Sequence, residues 1–230
     1  MRNKLFSLII ICVVVLISFS SCGSKFNVEE VCYKEASEVR QNFYLSEKDD
    51  LVLTFSSGYR EKEYNLNSNY SGESVGFGLL TLYSKAHTNL PKDGSSFTIF
   101  LNDEKYSGEF EKNPYDGSLV FDIGTCINEN YIKVSLVLSG ESLEFELINE
   151  SLNWSVGFYD AYTIACVQNQ NLLKKYIQNN KFDGEVYIKV SYNFSIDLNA
   201  EWYIKFLMED KTISTIVDKN NGNIISNVIQ

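Results

Sequence analysis

The chain has one histidine, two prolines, three arginines and no apolar run of the roughly 20 residues that a membrane-spanning helix needs. The single imidazole, His87, sits in the polar stretch Lys85-Ala86-His87-Thr88-Asn89. Every histidine-dependent triad or relay would have to run through it, and no Ser or Cys motif stands beside it, so it reads as a loop residue. Only Pro91 and Pro114 are present, against 15 Tyr and 15 Phe, a balance that favours strands. Arg2, Arg40 and Arg60 are the only guanidinium groups, few for a chain that neutralises phosphates, and nucleic acid is not an expected partner.

The charge balance says the same. The formal net charge is −10, and Arg2 and Lys4 belong to an N-terminal stretch with the marks of a leader. A cationic start is followed by the uncharged apolar run 5–19 and by small residues, the pattern of an export signal. Without that stretch, 18 basic side chains face 30 acidic ones, a net −12. Such a surface does not adhere to anionic lipid by charge, so membrane attachment falls to a covalent lipid. The ending Phe19-Ser20-Ser21-Cys22 resembles the bacterial lipobox. The resemblance implies diacylglycerol on the thiol of Cys22 and cleavage before it, which makes 1–21 a signal peptide and places the mature chain at the extracytoplasmic face of the cell membrane. Two acyl chains anchor firmly where one is marginal. Phe19 departs from the leucine common at that place in the pattern.

Of five cysteines, Cys12 falls in the leader and Cys22 takes lipid, leaving Cys32, Cys126 and Cys166. An odd set cannot be paired from sequence. Cys166 lies on the apolar stripe of an expected helix and reads as a small buried hydrophobe. The three are scattered and His87 has no ligand-like spacing to them, so no zinc site and no other metal site is expected.

Hydrophobic residues make up 44% of the chain, including 15 Tyr and 15 Phe, enough for a packed core and a composition that favours strands. Asn27 followed by Glu30 suggests a capped helix, with Val28, Val31, Cys32, Val39 and Phe43 near helical spacing up to about Tyr44. Residues 22–44 thus read as a lipidated tether and short helix. From Asp50 the period changes to short apolar or alternating runs at 51–55, 64–66, 74–83, 97–101, 106–110, 119–123, 131–138 and 143–148. Turn residues punctuate them: Pro91-Lys92-Asp93-Gly94, Asn102-Asp103-Glu104, Pro114-Tyr115-Asp116-Gly117 and Ser139-Gly140-Glu141. Strands at this spacing without helices between them suggest an antiparallel sandwich or open barrel over 45–150.

Residues 151–230 read differently. Phe158, Ala161, Tyr162, Ala165, Cys166, Leu172, Leu173, Tyr176 and Ile177 share one side of a helix of about 20 residues. Ser155 or Asn153 can cap it, and Asn179-Asn180 ends it. Four extended runs follow at 186–194, 202–208, 212–217 and 224–228, with connections short enough for hairpins. The fold class is therefore α+β and mostly β: an N-terminal β-sandwich-like region, then a helix lying across an antiparallel sheet. Asp160-Ala161-Tyr162-Thr163-Ile164-Ala165, Trp202-Tyr203-Ile204-Lys205-Phe206 and the run 213–224 resemble the PepSY family, a cystatin-like helix and sheet of exported bacterial proteins. That resemblance covers about a third of the chain and implies a module that binds or restrains partner proteins in the envelope.

No fingerprint for a cofactor is present. Ser56-Ser57-Gly58 and the glycines of 72–78 lack the spacing, the lysine and the following helix that phosphate loops need, and Gly76 and Gly78 read as a bulge or a close backbone approach. Asp218-Lys219-Asn220-Asn221-Gly222 imitates a calcium loop but lacks its closing Glu, and a hairpin turn explains it better. Glu61/Glu63, Asp103/Glu104 and Glu109/Glu111 could do acid–base work on a glycan only if folding set two of them across a cleft. Tyr64, Tyr70, Phe77, Tyr83, Tyr106 and Tyr115 are candidates for an aromatic groove, although core packing is their commoner fate. The expectation is a non-catalytic, lipid-anchored envelope protein that binds a protein or peptide. The alternative is a carbohydrate- or wall-binding protein.

Overall fold

The computed structural model describes residues 27–61, 73–86, 90–91, 95–101, 104–193 and 199–230. The leader, Cys22, His87, the run 64–66, Tyr64, Tyr70, Glu63 and Asp103 lie outside the described residues. The first element is a short helix, α1 (Val28–Tyr33), which buries Val28, Val31 and Cys32. It ends well before the expected Tyr44. Strand β1 (Ala36–Lys48) takes over, and Val39 and Phe43 belong to it. Apolar residues spaced for a helix over one turn also fit a strand that carries a register shift, and β1 has one between Arg40 and Asn42. The Asn27 side chain makes no capping bond.

A tight turn at Asp49 and Asp50, with Asp49 at φ 54, returns the chain as β2 (Leu51–Glu61), paired along nearly all of β1. The rest of the N-terminal region comprises β3 (Ser74–Ser84), β4 (Ser96–Leu101), β5 (Glu104–Glu109), β6 (Glu111–Lys112), β7 (Leu119–Asp122), β8 (Tyr131–Leu138) and β9 (Glu141–Asn149). Its mostly antiparallel order goes further than a sandwich. β5 pairs with β4 while β6, one residue later on the same chain, pairs with β7. The order β1-β2-β3-β7-β6/β5-β4-β8-β9 then returns to β1 through Tyr44 opposite Asn149 and Leu45 opposite Ile148. Among the described residues β5 pairs only with β4 and β6 only with β7, so at Phe110 the ring is joined by the chain itself and not by a continuous ladder. Its interior is filled by Tyr44, Leu53, Phe55, Leu80, Leu82, Ile99, Val134, Leu136 and Leu147, among others, all essentially without solvent contact. Each such side chain contributes about 1.5–3 kcal/mol by leaving water.

The second unit hangs on the same β1. Ala36 and Val39 run parallel to Val186 and Ile188 of β12 (Glu185–Asn193), and the sheet continues through β13 (Asn199–Leu207), β14 (Thr212–Val217) and β15 (Ile224–Ile229). Helix α2 (Phe158–Leu173) lies over β13 and β14 and touches α1. It is shorter than the sequence suggested. After a 3₁₀ turn over Lys174–Tyr176, a small hairpin forms from β10 (Ile177–Gln178) and β11 (Lys181–Phe182). Asn179 and Asn180 form its turn, both at positive φ, a task asparagine tolerates. The cap residue is Gly157, whose N–H meets the Asp160 carboxylate at 3.4 Å, and neither Ser155 nor Asn153 serves. An aromatic chain joins the two units: Phe43 packs on Trp154 at 6.0 Å and Trp154 stands edge-on to Trp202 at 5.0 Å. The buried Trp202 donates its indole N–H to the Val156 carbonyl at 2.7 Å.

Candidate binding surfaces

One end of the ring is stoppered by the segment between β7 and β8. The Ile127 carbonyl points inward and accepts from Asn42 Nδ2 at 3.0 Å and Ser57 Oγ at 2.5 Å. Tyr44 donates its hydroxyl proton to the Glu129 carbonyl at 2.9 Å and accepts from the Glu129 N–H at 3.0 Å. Asn149 adds its amide to the same carbonyl at 3.3 Å. Burial pushes the Tyr44 phenol up to about 12, so it stays a donor at all ordinary pH. These polar side chains face a ring interior and would cost about 1–3 kcal/mol each if unpaired. Instead they hold residues 125–129 in one arrangement.

Beside this stopper lies a cleft of about 420 Å3, lined by Leu101, Glu104, Tyr106, Thr125, Cys126 and Glu129 among others. A second hollow of about 310 Å3 adjoins it through Leu101 and Glu129 and carries Phe100, Asn130, Tyr131 and Lys133. Tyr106 donates to the Glu104 carboxylate at 2.7 Å.

The second surface is the far edge of the C-terminal sheet. Among the described residues, β15 pairs only with β14. Thr212 and Gln230 exchange both backbone hydrogen bonds at 2.9 Å, so the alternation of an antiparallel ladder turns the backbone groups of Asn227 and Ile229 outward. Ile225 and Ile229 are 56% and 53% exposed. No charged side chain lies in 224–229, and charge and proline are the usual guards of such an edge. A buried polar knot braces the strand from behind. Asn169 of α2 donates to Thr215 Oγ1 and to Asn227 Oδ1, both at 3.2 Å, while Asn227 returns an amide to Asn169 Oδ1 at 3.0 Å.

The residues singled out from the sequence scatter. Phe77 is buried beneath Arg40 and Arg60, whose guanidinium carbons stand 5.8 and 5.0 Å from its ring centre. Both arginines are already paired, Arg40 with Glu38 at 2.6 Å and Arg60 with Asp122 at 2.5 Å. Tyr115 is 95% exposed and Tyr83 is half-buried, and among the described members of that set only Tyr106 lines the cleft. Glu109 and Glu111 stand exposed at successive strands, whereas Glu104 lines the cleft. Gly76 and Gly78 mark close approaches and no bulge: β2 and β3 stay in unbroken register, and a Cβ on Gly78 would come within 2.4 Å of Phe55. Asp218 accepts from the N–H groups of Asn220 and Asn221 at 2.7 and 3.2 Å, the bonding of a hairpin turn, with Gly222 at φ 74.

The three described cysteines are free thiols. Cys32 and Cys166 are buried in the C-terminal core, and burial pushes both thiols up, Cys32 to about 12. Cys126 is partly exposed on the cleft wall. Among the described residues no group of three His, Cys, Asp or Glu side chains is placed to hold a metal, and no helix is long and apolar enough to cross a membrane. The sequence reading missed Asn42, Asn149, Asn169, Thr215 and Asn227. Asn169 carried a signal, since it lies four residues past Ala165 and three past Cys166 on the apolar stripe, where an amide must find a buried partner. No protein-family model, curated protein or solved structure matches the chain.

Proposed function

We propose that this chain is a lipid-anchored protein of the bacterial envelope, non-catalytic, whose C-terminal unit binds an extended segment of a partner protein as an added strand beside β15. The observation that carries the reading is the edge itself, with outward backbone groups at Asn227 and Ile229, exposed Ile225 and Ile229, and no charge along the strand. Main-chain hydrogen bonds to such an edge give affinity and alternate side chains give specificity. The partner segment should be uncharged where it pairs and not acidic around it, because the chain without its leader carries −12. The PepSY-like motifs at 160–165 and 202–206 agree with a partner-binding role by analogy. Lipid on Cys22 leaves only residues 23–27 ahead of α1, which would hold the C-terminal unit near the membrane surface.

A photo-crosslinking residue placed at Ile225 in cells making the full chain tests the edge. A discrete adduct that disappears in Ile229→Pro supports strand addition, because that proline removes an outward N–H and leaves the ladder to β14 intact. The same adduct from a crosslinker at Val137, on the distant β8, refutes it. The anchor is tested separately: Cys22→Ala must lose radiolabelled palmitate and leave the membrane fraction.

A further inference from the structure

We infer that the cleft at the stoppered end of the ring is a second binding site, independent of the β15 edge, and that its ligand is a short neutral glycan. Mouths of barrels are a preferred place for small-ligand sites, and about 420 Å3 with an adjoining hollow of about 310 Å3 lies in the size range of such sites. The lining is polar and varied within a small space. Thr125 supplies a hydroxyl, Asn128 and Asn130 supply amides, and Glu104 and Glu129 supply carboxylates. Aromatic faces stand beside them: Tyr106 within the cleft and Tyr131, 53% exposed, on its outer flank, where Phe100 carries the Lys105 ammonium over its ring. A ligand covered with hydroxyls yet flat and apolar across its C–H faces satisfies both kinds of surface at once, and a sugar has that chemistry. Within the cleft both charged groups are carboxylates, Glu104 and Glu129, while the cations, Lys133 and the Lys105 ammonium 5.3 Å from the Phe100 ring centre, belong to the outer flank, so the cleft itself repels acidic sugars and phosphates. The site is also held ready. The hydrogen bonds of Asn42, Ser57 and Tyr44 to the backbone of Ile127 and Glu129 fix the 125–129 wall, and Tyr106 fixes the Glu104 carboxylate, which lowers the ordering cost of binding.

Cys126 provides the assay. It is on the cleft wall, while Cys32 and Cys166 are buried, so occupation of the cleft should shield this thiol from alkylation. The full chain in detergent is treated with N-ethylmaleimide, and the Cys126 peptide is followed by mass spectrometry with chitotriose, maltotriose or trigalacturonate present. For a Kd of ~1 mM, about 10 mM of a neutral trisaccharide slows labelling about tenfold. Trigalacturonate leaves the rate unchanged. Tyr131→Ala and Glu129→Gln abolish the protection while the melting temperature stays within about 2 °C, the tolerance of a surface change. The inference fails if neither neutral trisaccharide protects Cys126, if trigalacturonate protects equally, or if protection survives both substitutions. None of these outcomes bears on crosslinking at β15.

Discussion

Tyr44→Phe isolates the stopper of the ring. The substitution keeps the buried ring packed against Phe55, 5.6 Å away between centres, and deletes only the hydroxyl. Lost with it are the bond to the Glu129 carbonyl at 2.9 Å and the one from the Glu129 N–H at 3.0 Å. Asn149 still reaches the Glu129 carbonyl, and Asn42 and Ser57 still reach the Ile127 carbonyl, which also loses its 3.3 Å bond from the hydroxyl, so the change that counts is the acceptor taken from the Glu129 N–H. Losing one partly buried hydrogen bond of this kind costs about 1–2 kcal/mol. For a unit of this size that lowers the melting temperature by about 2–8 °C. The loss is local, so the segment should open more often, and Cys126 should be alkylated about 5–30-fold faster in the folded protein, the factor equivalent to that free energy. Calorimetry and timed alkylation read the two effects separately. A variant that melts where the parent does and labels at the parent's rate would show that residues 125–129 are held by something other than Tyr44, and the reasoning about a preset cleft wall would fail with it.

Asn169→Ala leaves Thr215 bonded to Asn227 at 2.7 Å but takes the acceptor from the half-buried Asn227 amide, and should cost about 1–2 kcal/mol, and a double-mutant cycle with Asn227→Ala should show coupling of about 0.5–3 kcal/mol by urea unfolding. Zero coupling would mean that the two amides do not act together. Burial alone would raise the Glu38 carboxyl, but Arg40 and Lys189, at 2.6 and 2.9 Å, hold it below the usual carboxylate range. Its contribution to stability is therefore present above about pH 4.3 and is lost as pH falls through the depressed folded value. Glu38→Gln should flatten the acid limb of a stability-against-pH curve measured by urea unfolding, and an unchanged limb would refute the assignment. Tyr44 works in the opposite sense: a phenol raised to about 12 stabilises below pH ~10 and loses that contribution as pH climbs toward its folded value, which Tyr44→Phe should remove from the alkaline limb. Trp202→Phe deletes the bond to Val156 and thins the contact with Trp154, and should cost about 2–4 kcal/mol by calorimetry.

Much of the fold could be read from residue patterns, because local rules operate undisturbed over long stretches. The runs at 131–138 and 212–217 were placed at their observed bounds, since alternation and flanking turns point the same way there. The α2 stripe held for Ala161, Tyr162, Ala165, Cys166 and Leu173, all buried. What failed was set by tertiary contact. The helix expected up to Tyr44 gave way to β1, whose pairing with β2, β9 and β12 outweighs local spacing. Ring closure depends on one chain changing partners at Phe110, and no composition or period announces that. Of the candidate sites, Glu104 and Tyr106 stand out in the sequence as an acidic pair member and an aromatic, but their neighbours Thr125, Cys126 and Glu129 come from a segment distant in sequence. The asparagines that lock both surfaces were invisible as a group, because hydrogen-bond partners 107 and 58 residues apart leave no local trace.

The parallel pairing of Ala36 with Val186 spans 150 residues of chain. A ribosome delivers β1 early and β12 late, and the strand that starts the ring also waits for the last quarter of the protein before its first half has a neighbour on that side. Non-local pairing of this sort is slow to form. Cutting the chain near residue 150 would therefore leave an unsatisfied strand in one fragment and a sheet missing its inner neighbour in the other, and the two units should be obtainable only together.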